Sequence, residues 1–360
     1  MAYTDIDDPS AYFTTTLYTG NATARSITNS ANAGDFQPDW LWIKVRNNAN
    51  NHRLFDSSRG ANLDLVSNLN QADSDSADRC TDFDSNGFSL GVNGEVNSNT
   101  HNIVAWQWKA NGGTTASNTD GSITTTVQAN TTAGFSIVTW TGNATNGATI
   151  GHGLGGTPEW VYIKNRATAV NWAMGHKSFM GANAENIRSD GAAALGDAGD
   201  AAGSHFSRTA PSSTVITLGS GGDGNYSTDT NRAEAHIAYC FRSIQGYSKI
   251  GKYTGNGNAN GTFVYTGFKP AYVMVKRTNG TGSWVIHDSA RAGFSNPTDE
   301  YVYGQATNVE ATDIPHDFLS NGFKMRATLD DSNGSGSTYI YMAFADSPFV
   351  SSKGVPTTAR

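Results

Sequence analysis

Residues 36–44 read "FQPDWLWIK", and the same line returns as "GTPEWVYIK" at 156–164 and "FKPAYVMVK" at 268–276. Other landmarks recur around it in the same order. "YTGN" at 18–21 comes back as "WTGN" at 140–143 and "YTGN" at 253–256. "DFDSNGFSL" at 82–90 comes back as "DFLSNGFKM" at 317–325, and the middle copy lacks it. Each copy then closes on an aromatic run: "IVAWQWK" at 103–109, "HIAYCFR" at 236–242 and "YIYMAFA" at 339–345. Chance matches do not keep order and spacing, so one unit is written three times. The boundaries that follow are 1–110, 134–245 and 246–347. Between the first two lie residues 111–133, where the small, polar "NGGTTASNTDG" reads as a flexible linker and "SITTTVQANTTAG" as a leading strand. Residues 348–360 form a tail expected to fray or to dock on a neighbouring chain.

The period within each run is that of a strand. Leu41, Ile43 and Val45 face one way, and Trp40, Trp42, Lys44 and Arg46 the other. Copy two sets Val161 and Ile163 against Trp160, Tyr162, Lys164 and Arg166; copy three sets Val273 and Val275 against Tyr272, Met274 and Lys276. Both faces are apolar at the start, so the strand is central and buried there, with its Lys reaching water at the far end. The closing runs align Val104, Trp106 and Trp108 with Ile237, Tyr239 and Phe241 and with Ile340, Met342 and Phe344. Large residues at every equivalent position mean core packing. The expected fold is all-β: three tandem antiparallel β-sandwich repeats of jelly-roll or lectin-like type.

Composition points the same way. The 360 residues include 40 Gly but only 9 Pro and 15% charged residues, so short apolar runs are broken by turn formers rather than by charge. No long 3.6-residue periodicity, heptad or 18-residue apolar run occurs, which argues against bundles, coiled coils and membrane insertion. A formal net charge of -7 without a Lys/Arg cluster gives nucleic acid no electrostatic purchase. The start, "MAYTDIDDPSAYF", is acidic and polar and does not read as a signal peptide. Cys80 and Cys240 are too few for a disulfide framework.

Several constellations could carry chemistry. Asp56 and Arg59 in "FDSSRG" recur as Asp288 and Arg291 in "HDSARAG" at the same distance from their Lys, while copy two holds His176 and Phe179 there. The reading favoured is a partly buried pair that fixes a turn; the rival is a ligand site lost from copy two. No unique pair of carboxylates suits glycoside hydrolysis, so the expectation is no enzyme and no catalytic residue. "GHGLGGTPEW" at 151–160 runs straight into a strand and reads as a tight turn, not a phosphate loop. The histidines lack zinc spacing; His152, His236 and His287 read as ordinary loop or strand-end residues, and no metal or cofactor is expected. Between Asp223 and Glu234, the residues Asp223, Asn225, Ser227, Asp229, Asn231 and Glu234 have calcium-loop spacing, but Thr228 stands where such a loop needs Gly. Trp172 and Trp284 sit at matching places, with His52 in copy one; they either cap the core or line a groove that stacks on sugars. No ligand-binding residue is assigned.

"VQANTTAGFSIVTWTGNATNGATIGHGLGGTPEWVYIKNR" at 127–166 resembles a repeated segment of tail-associated and other structural proteins of marine bacteriophages. "FQPDWLWIKVRN", "HRLFDSSRG", "FDSNGFSLG" and "VAWQWKA" resemble the same uncharacterised repeat domain, from about residue 12 to 345. The resemblance implies a β-sandwich virion protein, assembled in the host bacterial cytoplasm, whose partners are other tail or capsid proteins. It carries over no catalytic or binding residues. Within that class the expectation is a homo-oligomeric tail fibre or receptor-binding appendage contacting host surface glycans. The alternative is a capsid decoration or head fibre protein stabilising the shell, which the short lead before the first unit favours. A glycan depolymerase ranks below both.

Overall fold

Aromatic and β-branched side chains alternate through each motif run, and each run forms a strand: Trp40–Val45, Trp160–Asn165 and Phe268–Arg277. We call these the motif strands. The computed structural model describes residues 3–29, 36–181, 185–197, 205–219, 230–293 and 295–357. Each copy also has an opening strand (Phe13–Thr19, Phe135–Thr141, Ser248–Thr254), a return strand after the motif (Arg53–Asp56, Ala173–His176, Trp284–Asp288) and a closing strand (Asn102–Trp108, Ala235–Phe241, Thr338–Pro348). All pair antiparallel in one order, opening–closing–motif–return. The register recurs as well. Trp40 lies opposite Trp108 and Asp56, Trp160 opposite Phe241 and His176, and Tyr272 opposite Phe344 and Asp288.

The fold is all-β and built of antiparallel sheets; the helical elements among the described residues are the turns Pro9–Ala11 and Gly94–Asn97. Among the described residues, no helix is long and apolar enough to cross a membrane. The two faces of each main sheet separate as the alternation requires. Leu41 and Ile43 pack with Phe88 and Leu90 of a small neighbouring sheet. Val161 and Ile163 pack with Ile150 and Ile216, and Val273 and Val275 with Phe323 and Met325.

The opposite faces converge. One core joins Trp40, Trp106 and Trp108 of copy one, Trp160, Tyr239 and Phe241 of copy two, and Tyr272, Met342 and Phe344 of copy three. Trp40 stacks on Tyr239 at 4.6 Å, Trp108 meets Phe344 at 5.7 Å, and Trp160 meets Trp284 at 5.8 Å. Each such pair adds about 0.5–1.5 kcal/mol beyond the area it buries. The largest core of the molecule is therefore shared among the copies.

Residues 111–121, expected as a flexible linker, make hydrogen bonds to the first copy and include a short strand. Asp39 accepts the N–H groups of Ala110, Gly112 and Gly113 at 2.7, 2.9 and 2.9 Å, and Ala116–Asn118 is a strand. The leading strand, Thr125–Asn130, pairs with the opening strand of copy two. In the tail, Ser352 donates its N–H to Asp7 at 2.6 Å.

Candidate functional site

The Lys that ends each motif run does not reach water. Lys44, Lys164 and Lys276 are fully buried. An ammonium has three protons and no acceptor, so burial demands three oxygens around it. Lys44 Nζ donates to the carbonyls of Val45, Asn48 and Thr307 at 2.8, 3.4 and 3.2 Å. Lys164 donates to Asn165, Val170 and Asn70 at 3.1, 2.6 and 3.2 Å, and Lys276 to Arg277, Gly282 and Ala192 at 2.9, 2.8 and 3.1 Å. In each set two carbonyls belong to the same copy and one to another. Copy one reaches copy three, copy two reaches copy one, and copy three reaches copy two. Backbone bonds close the same ring: Glu310 N to Arg46 O, Asp73 N to Arg166 O, and Leu195 N to Thr278 O, at 2.8, 2.9 and 2.9 Å. Burial lowers each lysine to about 8, so all three remain ammonium at neutral pH.

The Asp–Arg pairs sit on the same seams and are wholly rather than partly buried. Asp56 accepts Arg59 Nε at 2.5 Å, Arg59 N at 2.9 Å, and Tyr239 Oη of copy two at 2.7 Å. Asp288 repeats this with Arg291 at 2.5 and 2.9 Å and with Trp106 Nε1 of copy one at 3.0 Å. A second carboxylate completes each cluster. Asp73 bonds Arg59 at 2.9 Å and Arg166 of copy two at 2.6 Å; Glu310 bonds Arg291 at 3.0 Å and Arg46 of copy one at 2.6 Å. Burial lowers the Arg59 affinity for its proton, but the carboxylates of Asp56 and Asp73 outweigh that and hold it above its ordinary value. Both oxygens of Asp56 and of Asp288 are engaged within the protein. Copy two substitutes His176, whose Nδ1 meets Ser178 Oγ at 2.7 Å and which burial lowers to about 3.

Trp172 and Trp284 are buried and offer no face to a sugar. Their indole N–H groups bolt the seams: Trp172 Nε1 donates to Val66 O at 2.9 Å, and Trp284 Nε1 to Arg188 O and Gly191 O at 3.1 and 3.2 Å. His52, in the equivalent place, accepts Trp42 Nε1 at 2.8 Å. His236 and His287 lie next to strand ends and His152 just after a strand, as expected, and all three are buried. Cys80 and Cys240 are buried free thiols, and burial pushes Cys240 up to about 12.

A further set left no matching string. The buried side chains of Asn97, Asn231 and Asn333 hold the three "TGN" turns. Their Oδ1 atoms accept the N–H of Asn21, Asn143 and Asn256 at 3.1, 3.0 and 3.1 Å. The chain passes so close that a Cβ on Gly142 would stand 1.8 Å from Arg232 O, and one on Gly20 would stand 2.0 Å from Ser98 O. Only glycine fits.

Of the calcium-loop set, Asp223, Asn225, Ser227 and Asp229 lie outside the described residues. Asn231 serves the turn just given, and Glu234 accepts Asn165 Nδ2 at 2.6 Å and Thr168 Oγ1 at 3.0 Å. No group of three or more His, Cys, Asp or Glu among the described residues could hold a metal ion.

One open feature among the described residues is a cleft of about 600 Å³ between copies one and three. Asp7, Asp8, Thr15, Ala271, Ser289 and Asp346 line it, and no cation does. The carboxylates have local duties: Asp7 accepts Ser352, Asp8 accepts Ser10 N at 2.9 Å, and Asp346 pairs with Lys269 at 3.1 Å. No curated protein and no solved structure matches this chain. One family model, described as a domain of unknown function (DUF7483), matches residues 8–348, and the chain belongs to that family.

Proposed function

We propose that this protein is a structural component of a bacteriophage particle, built as a tail fibre or similar receptor-binding appendage whose outer loops contact host surface glycans. The observation that carries this reading is where the buried chemistry goes. Lysines, Asp–Arg clusters and indole N–H groups are spent on joining the three copies, which suits a rigid load-carrying module better than an enzyme. On the same reading each of 1–110, 134–245 and 246–347 is one β-sandwich, and the three close as a pseudo-threefold ring. Capsid decoration is the second reading, favoured by the inward commitment of the aromatics, which leaves no indole platform for a sugar among the described tryptophans. Catalysis plays no part in either.

Antibody labelling of intact particles tests the proposal. Label at tail tips supports the appendage, label over the head supports decoration, and label absent from particles overturns both. A glycan array probed at high protein concentration separates the roles further, because an adhesin binds and a shell brace does not.

A further inference from the structure

The three seams can be compared at equivalent positions: the opening strands of copies one and three both lie at a sheet edge, and that of copy one lines the cleft. At the seam of copies two and one, the leading strand Thr125–Asn130 lies along the opening strand, with Gln128 opposite Ile137. Gln128 Nε2 donates to Ser57 and Ser58 Oγ at 3.0 and 2.8 Å, and Ser57 in turn bonds Asp39 at 2.7 Å. At the seam of copies three and two, Glu159 stands in the place of Asp39. It takes up Ser243, whose Oγ accepts the N–H of Ile250 at 2.9 Å, so a short loop closes the gap.

At the seam of copies one and three, Ala271 replaces that carboxylate and leaves its volume empty. Ser289 and Ala290 take the places of Ser57 and Ser58, and Thr15 takes the place of Ile137 and Ile250. All of them line the cleft. No strand of this chain among the described residues pairs with the outer edge of Phe13–Thr19. Thr15 Oγ1 is buried without a hydrogen-bond partner, where the other two copies place an isoleucine.

The geometry points to a strand-accepting slot. An extended segment of a different polypeptide adds along Phe13–Thr19, as residues 125–130 do along the opening strand of copy two. Its chemistry follows from the walls. A residue opposite Thr15 carries a hydroxyl or amide to meet Thr15 Oγ1 and Ser289. A Lys or Arg meets the rim of Asp7 and Asp8, which no cation among the lining residues answers, Asp346 being paired with Lys269. A second copy is the poorer occupant, because its own matching strand already fills its own seam. This inference does not rest on the virion reading.

The test uses the full chain and a synthetic peptide of residues 123–131, ITTTVQANT, with a Lys added at one end. Hydrogen exchange is read at the amides of Thr15 and Leu17. Expected is protection of at least about tenfold, lost in Ala271→Trp, which fills the slot, and weakened in Asp7→Lys, an exposed site. Unchanged melting temperatures show that both variants fold. Absent protection overturns the proposal, as does protection that survives Ala271→Trp. Loss of protection at the chain's own Gln128 amide instead means that the peptide displaced the strand 125–130, and it also overturns the slot. Self-association abolished by Ala271→Trp overturns it in favour of a second copy.

Discussion

Each buried ammonium places its three protons on carbonyls, and its cost appears as a depressed proton affinity. Lys44, Lys164 and Lys276 hold their last proton to about 8, against the ordinary 10.5. Between those values the unfolded chain binds more protons than the folded one, so stability rises with pH across that window. The slope reaches about 1.4 kcal/mol per pH unit per lysine. Above it the buried tyrosines, such as Tyr239 and Tyr272, reverse the trend: burial raises them, so the unfolded chain ionises first. Urea unfolding from about pH 8 to about pH 9.5 therefore shows a rising stability, and Lys164→Met removes one third of the slope. A flat profile in the parent would contradict three buried ammoniums. The asparagines make a second residue-scale case. Asn97 Nδ2 donates to Thr23 O and Gly91 O, both at 2.8 Å, so Asn97→Ala leaves buried backbone groups without partners. Denaturant unfolding is expected to show a loss of about 3 kcal/mol or more. These asparagines stand in "EVNSN", "DTNRA" and "DSNGS", contexts too unlike to align, whereas the "TGN" turns they hold recur almost letter for letter.

Strands were legible wherever one side-chain period ran unbroken. "WLWIKV" divides correctly into Leu41, Ile43 and Val45 on one face and Trp40 and Trp42 on the other. Its Lys was misread because the third carbonyl over Lys44 comes from Thr307, a partner no local pattern reveals. The bonds of the expected linker are hidden for the same reason. Its glycines and small polar residues suit a mobile segment, yet Asp39 and Gln128 fix their N–H groups from far along the chain. Gln128 Oε1 accepts Gly113 N at 2.9 Å and Asn111 N at 3.2 Å while its Nε2 bonds two serines. Gln128→Leu keeps the strand but frees the turn. Amide exchange at Asn111 should then accelerate by at least about tenfold, while Gly113, still held by Asp39, and the motif strands keep theirs. Equal acceleration everywhere would mean that the strand, not the amide, carries the seam.

At the scale of the molecule the decisive fact is that the copies share their aromatic core. Tyr272, Met274, Met342 and Phe344 all point into it, so residues 246–347 made alone would expose an apolar face. That fragment is expected to lack a cooperative thermal transition, and a sharp one would show that its private core suffices. Sharing also governs acid unfolding. Burial holds His176, His205 and His316 down to about 3, and His52 and His287 well below their ordinary 6.5. Below that ordinary value the unfolded chain gains protons that the folded chain refuses. Stability therefore falls as pH drops through about 6.5, by up to about 1.4 kcal/mol per pH unit for each histidine. These groups are spread over all three copies, which cannot open singly without exposing the common core. Tryptophan fluorescence and far-ultraviolet dichroism should accordingly lose signal together in one acid transition. His316 gives the sharpest check. It stacks on His287 at 4.0 Å with neither ring nitrogen partnered, so a phenylalanine keeps the contact and removes the proton acceptor. In His316→Phe the transition moves to lower pH for both signals equally, whereas a shift in one signal alone would mean that copy three unfolds apart from the rest.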